Sequence, residues 1–186
     1  MARLPYPDIN KASAQVRELY DTAPVKLNIM KMLTYLDERF APLLQFAGKL
    51  LTAQKLSPLL RELAILRVAR LSNAEYEWVQ HVPFAEDAGA SAAQIKALDR
   101  GQNRGDCFNE LEALVLAFTD EVVDDVRPSD DTLERLRAKL SDQEVVELTL
   151  AIGFYMTMAR IMEVTGVEVE APAGLQVVTA MARGGA

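Results

Sequence analysis

Cysteine, histidine and tryptophan are almost missing from this chain, which holds one of each in 186 residues. The single thiol, Cys107, excludes an intramolecular disulfide and any Cys-x-x-Cys redox pair within the sequence. The single imidazole, His81, is the only ring available for histidine-dependent proton transfer near neutral pH. Positive charge is also in deficit, with 20 Lys and Arg against 27 Asp and Glu and a formal net charge of −7. Nucleic-acid binding needs clustered cations to neutralise phosphates, so this balance argues against it. No run approaches the roughly 18 uninterrupted apolar residues of a membrane span. The opening Met1-Ala2-Arg3-Leu4-Pro5-Tyr6-Pro7 lacks the apolar stretch of a secretory leader. These absences lead us to expect a cytoplasmic protein with neither a nucleic-acid nor a membrane partner.

What is present reads as helix. Half the residues are apolar and a quarter are charged, an ordinary globular balance in a chain of one-domain size. No stretch alternates apolar and polar residues at period two, so the expected fold class is all-α. A short helix is expected from about Ala12 to Ala23, stopped by Pro24, and another from Leu27 to Tyr35. Pro42 suits the first turn of a helix reaching Thr52. Ser57-Pro58 supplies an N-cap and a proline at the first helical position, opening a helix to Leu71. Ser72 to Glu75 has capping-box spacing, predicting a restart that Gly89 closes. Ser91 and Gln94 repeat that spacing for a helix ending near Gly101, before a loop from Asn103 to Asn109. Further helices are expected over Glu110–Val126 and from Ser129 to Leu140. Ser141 and Glu144 then open the most apolar helix, Gln143–Thr165. Because Leu148, Ile152, Tyr155, Met156 and Ala159 lie on it, this helix is expected at the centre of a bundle. Its apolar residues fall on more than one side, which predicts self-association into a homo-oligomer.

The chemistry concentrates around His81. Glu77 precedes it by four residues, on one helical face, and Glu62 lies nineteen positions before it. Glu62 stands ten residues before the Ser72 break and His81 nine after it. In an αα-hairpin those offsets are about 15 Å and 13 Å along the helices, so the two side chains reach a similar height. Two carboxylates and an imidazole in a partly apolar niche suit a proton relay. The alternatives at this point are a surface Glu–His pair, packing roles for Tyr76 and Trp78, and an ion pair of Glu62 with Arg61, Arg67 or Arg70. Cys107 fits a half-buried small hydrophobe better than a reactive thiol.

The segment from Ser57 through Arg61-Glu62, Arg67 and Arg70 to Leu71, then Asn73-Ala74-Glu75-Tyr76-Glu77-Trp78 and His81, resembles the carboxymuconolactone decarboxylase family. That family includes the alkylhydroperoxidase D-like proteins. The similarity continues through Ala85, Gly89 and Ile95 and spans roughly residues 40–165. It implies an oligomeric helical bundle, a trimer or hexamer among the assemblies expected, with residues 1–40 as an extension packed on the core. The family domain would occupy residues 41–168 and a tail residues 169–186.

In the peroxidase branch the resemblance implies a glutamate, a Cys-x-x-Cys pair and a histidine. Glu62 and His81 match the glutamate and histidine, but Ala74 and Glu77 stand at the cysteine positions. Peroxide reduction by that route needs two thiols. The decarboxylase branch keeps the glutamate and histidine without cysteines, as here. The resemblance therefore implies a cofactor-independent acid–base enzyme, a decarboxylase or isomerase of a small unsaturated lactone or related acid. A non-catalytic binding or assembly protein on the same fold is the alternative. His81 is the candidate proton donor, with Glu77 or Glu62 orienting it. Arg67 and Arg70 are candidate anchors for a substrate carboxylate, and Tyr76 and Trp78 candidate binding residues. No metal or organic cofactor is needed by this scheme. The extension over residues 1–40 departs from the shorter decarboxylases, and Met30, Met32, Tyr35 and Phe40 in it could roof a pocket or fill the core.

Overall fold

A computed structural model describes residues 1–23 and 25–174. Among them the regular structure is helical: α1 (Ala14–Thr22), α2 (Asn28–Leu33), α3 (Phe40–Thr52), α4 (Pro58–Leu71), α5 (Glu75–Asp87), α6 (Ala92–Asp99), α7 (Glu110–Asp125), α8 (Asp130–Arg137) and α9 (Asp142–Thr165). Short tight turns over Ile9–Lys11 and Thr34–Arg39 complete the N-terminal part.

The centre of the bundle is α4, not α9 as expected. Every residue from Leu60 to Ala69 is buried, and α4 packs against α5, α7 and α9. A helix buried on all sides must be flanked by apolar faces. Leu60, Ile65 and Val68 meet Leu114, Val115 and Phe118 of α7 and Leu148 and Ile152 of α9. Leu63 and Leu66 meet Trp78 and Ala85 of α5, Leu98 of α6 and Leu116 of α7. Each such leucine or isoleucine contributes about 1.5–3 kcal/mol by leaving water. By length and composition α9 is apolar enough to cross a membrane, as the core helix of a bundle also can be, although its apolar run is interrupted by Glu147, Arg160 and Glu163. Much of that apolarity faces the bundle, where Leu148, Ala151, Ile152, Tyr155, Ala159 and Met162 are buried. Val146, Leu150 and Val164, on its other side, are exposed.

The α4–α5 hairpin forms, but not through the expected capping box. Ser72 has helical backbone angles and ends α4 instead of opening α5. Asn73 takes a positive φ of 51°, a conformation asparagine tolerates better than most residues. The Asn73 amide then donates to Arg70 O at 3.2 Å, and Ala74 N to Ala69 O at 2.8 Å. These two bonds satisfy the last carbonyls of α4 as a Schellman closure does. The capping boxes of Ser91 and Ser141 form as expected, and Asn109 with Glu112 makes a third that the sequence reading missed.

The first forty residues lie against the bundle. Val16, Leu27, Ile29, Met30, Met32, Leu33 and Phe40 pack on Tyr76 and Phe84 of α5 and Met162 of α9. Met32 and Phe40 fill this core, whereas Tyr35 is half-exposed and its hydroxyl donates to Pro5 O. The tail expected over 169–186 is described only as far as residue 174. There Glu170 and Ala173 are held by Asn28, Tyr76 and Gln80.

Candidate functional site

The periodicity of α5 builds the site. Tyr76, Glu77, Gln80, His81 and Phe84 recur at helical spacing and share one face. That face looks onto a cavity of about 100 Å³ between α5, α9 and the N-terminal layer. Leu27, Ile29, Met30 and Leu33 wall one side, Leu43, Leu44, Ala47 and Leu51 of α3 another, and Phe154, Tyr155, Met158 and Met162 of α9 a third.

Glu62 of α4 is wholly buried behind this wall, and its Oε2 lies 2.8 Å from His81 Nδ1. Its other oxygen accepts from Arg61 Nε at 2.9 Å, and Arg61 Nη1 donates onward to Leu51 O. A carboxylate that already pairs with a guanidinium is the acceptor, so Nδ1 carries the proton it donates to Glu62. With Nδ1 protonated, the neutral tautomer of the ring bears its lone pair at Nε2. That nitrogen has no hydrogen bond among the described residues, on a ring that lines the cavity. The ring is held edge-on by Tyr155, centroids 4.6 Å apart at 84°, and flanked by Phe84 at 5.4 Å.

Glu77 is in the opposite situation. It is 1% exposed, and neither carboxyl oxygen has a hydrogen-bond partner among the described residues. Burial alone pushes its carboxyl well above the ordinary value, which favours the protonated, neutral form. Tyr155 is raised as well, by burial first and then by the nearby Glu62 and Glu77, and remains a neutral phenol. The Tyr76 ring lines the cavity, but its hydroxyl donates to Glu170 and accepts from Ile29 N at 3.3 Å.

The structure thus brings Glu62, Glu77, His81 and Tyr76 together and leaves out Arg67, Arg70 and Trp78. Arg67 lies about 140° round α4 from Glu62, at 100° per residue. It forks onto Asp120 of α7, with Nη2–Oδ2 at 2.9 Å, and donates to Gly101 O at 2.7 Å. Arg70 pairs with Glu75 and Asp99 and stacks over Trp78 at 3.7 Å from the ring centroid. As anchors for a substrate carboxylate in this cavity, both arginines are corrected: their charges are already paired elsewhere. Trp78 sits on the adjacent face of α5, in the core with Leu63 and Leu98. Cys107 packs half-buried against that same cluster and does not line the cavity. Tyr155 and Gln80 are cavity residues the sequence reading did not single out for function. A tyrosine among the aliphatic residues of α9 was the available signal.

The all-helical fold that carries this buried Glu–His pair has counterparts among solved structures. It is similar to an uncharacterized peroxidase-related protein from Ralstonia eutropha JMP134, described as an alkylhydroperoxidase AhpD core. The TM-score is 0.77 at 16% identity, over 91% of this chain and 92% of that one. A peroxidase-related protein from Silicibacter sp. TM1040 gives 0.75 at 16% identity, over 91% of each chain. A protein of unknown function from Agrobacterium tumefaciens, whose description mentions AhpD, gives 0.64 at 23% identity over 72% of this chain and 92% of that one. These likenesses establish the AhpD-like fold. No curated protein matches the sequence. Residues 38–119, a segment that holds Glu62, Glu77 and His81, match the model of the carboxymuconolactone decarboxylase family.

Proposed function

We propose that the cavity is the site of a cofactor-independent acid–base enzyme, in which His81 moves a proton on a small unsaturated lactone or related carbonyl compound. The observation that carries this reading is the 2.8 Å Glu62–His81 contact on the wall of an apolar cavity. Glu62, locked by Arg61, fixes the ring's tautomer and orientation, and Nε2 is left to exchange protons with a bound molecule. In an isomerisation Nε2 takes a proton from carbon, the C–H electrons pass into the conjugated carbonyl, and the imidazolium returns the proton at another carbon. In a decarboxylation the electrons of the breaking C–C bond follow the same path, and the ring must first take a proton from water at Nε2, which as imidazolium it then delivers to the carbon that lost carbon dioxide. Positioned general acid–base catalysis of this kind accelerates reactions by about 10²–10⁴.

Peroxide reduction through a thiol pair is disfavoured, because Ala74 and Glu77 occupy the cysteine positions and Cys107 lies elsewhere. A second reading, a binding protein for small apolar molecules, is supported by the apolar lining alone. The two separate on a panel of muconolactone-type substrates followed by ultraviolet absorbance and carbon dioxide release. In His81→Ala turnover should fall by about 10² or more while the circular dichroism spectrum is kept. Turnover equal to wild type would remove His81 from the reaction. We also propose that the protein self-associates, through the exposed apolar side of α9.

A further inference from the structure

The cavity's wall has a definite electrical character. Its lining is aliphatic and aromatic apart from Tyr76, Glu77, Gln80 and His81 and the phenol of Tyr155. Close behind it, the positive charge of Arg61 is consumed by Glu62 at 2.9 Å. Arg67 and Arg70 are turned toward Asp120, Glu75 and Asp99. A bound carboxylate would thus lose its water and meet buried Glu62 instead of a cation. Burial of an unpaired ion is among the most unfavourable steps a site can ask for. The carboxyl of Glu77 is buried and has no hydrogen-bond partner among the described residues, an arrangement that is costly unless something else accepts from it. The volume of about 100 Å³ suits a single small ring.

We propose that this cavity takes a small uncharged carbonyl compound, of the unsaturated single-ring lactone type, and that Glu77 donates a hydrogen bond to its carbonyl oxygen. This inference rests on the acid–base reading above and narrows it to isomerisation. His81 Nε2 removes a proton from the carbon between carbonyl and double bond. The electron pair of that C–H bond forms the dienolate, whose oxygen accepts from the Glu77 hydroxyl. The imidazolium then protonates the far carbon, and the double bond ends in conjugation with the carbonyl. One proton is moved, no electrons leave the substrate and no co-reactant is consumed. A carboxyl kept neutral by an apolar site is a known way of holding an enolate oxygen.

Three probes test the charge preference: α-angelica lactone, the same lactone with carboxymethyl in place of methyl, and the primary amide of that acid. Binding is read by calorimetry, and proton transfer by loss of the ring C–H resonance in deuterium oxide against a protein-free blank. The methyl lactone is expected to bind and exchange. The acid should bind at least about tenfold more weakly than its equally large amide, because only its charge must be desolvated. Glu77→Gln, which keeps an N–H donor, should hold the lactone within about threefold of wild type, whereas Glu77→Leu should lose about tenfold.

An acid that binds as tightly as the amide overturns the inference, even if exchange shows the acid–base reading to be sound. An unimpaired Glu77→Leu overturns the donor role. A lactone that binds without exchange removes proton transfer while leaving the preference for uncharged ligands. Failure of all three probes to bind overturns the inference altogether.

Discussion

Glu77 is a carboxyl whose burial opposes folding at neutral pH. Its folded pKa stands above the ordinary 4.5 and its unfolded pKa near it. Between those two values the folded state holds a proton that the unfolded state has released. Stability is therefore greatest below the ordinary value and falls as pH rises, by up to about 1.4 kcal/mol per pH unit until the folded carboxyl itself ionises. Glu62, His81 and Tyr155 face the same space, and Glu77→Gln isolates the contribution of this one group. Urea unfolding from pH 5 to pH 8 should show a shallower decline for Glu77→Gln than for wild type; parallel curves would mean that Glu77 is not buried neutral. Glu62 carries the opposite sign of interaction. It is fully buried between Arg61 and His81, so Glu62→Gln leaves a buried guanidinium without a counter-charge. A loss of about 3–5 kcal/mol is expected, against about 1 kcal/mol if the pair were solvated.

At the scale of helices, the ends decide what the faces can present. Gly166 closes α9 at φ 65°, and a Cβ there would come within 2.7 Å of Arg3 Cγ and 2.8 Å of Arg3 N. The Arg3 amide donates to Thr165 O at 2.8 Å, so this glycine also ties the N-terminal layer to α9. Gly166→Ala should lower stability by more than about 1 kcal/mol and loosen the cavity's roof; an unchanged melting temperature would contradict that tie. Helix ends were largely legible in the sequence, because Ser91, Ser141 and Pro58 act locally. Ser72 misled because the same residue types also suit the end of the helix before. The heights of Glu62 and His81 were legible from hairpin arithmetic. Arg67 and Trp78 could have been set aside by angular position on their helices. That residues 1–40 could roof a pocket was read from the sequence, but of Met30, Met32, Tyr35 and Phe40 only Met30 lines the cavity, because the N-terminal layer docks through long-range contacts with no periodic signature.

At the scale of the whole molecule, α4 is saturated with neighbours while α9 is not. Val146, Leu150 and Val164 leave an apolar side of α9 exposed beside Phe46. Light scattering after size exclusion should return a multiple of 20.6 kDa, and Leu150→Glu should shift it toward the monomer; a wild-type mass of 20.6 kDa would contradict self-association. Glu62, Glu77 and His81 come from two helices that α7 and α9 hold in place, and their chemistry is closed over by the first forty residues. The most direct measurement of that chemistry is the rate at which wild type and His81→Gln exchange the ring C–H of α-angelica lactone in deuterium oxide. Gln at position 81 retains a donor toward Glu62 but has no basic nitrogen. The rate should fall by about 10² or more with the fold preserved; equal rates in the two proteins would contradict proton transfer by His81.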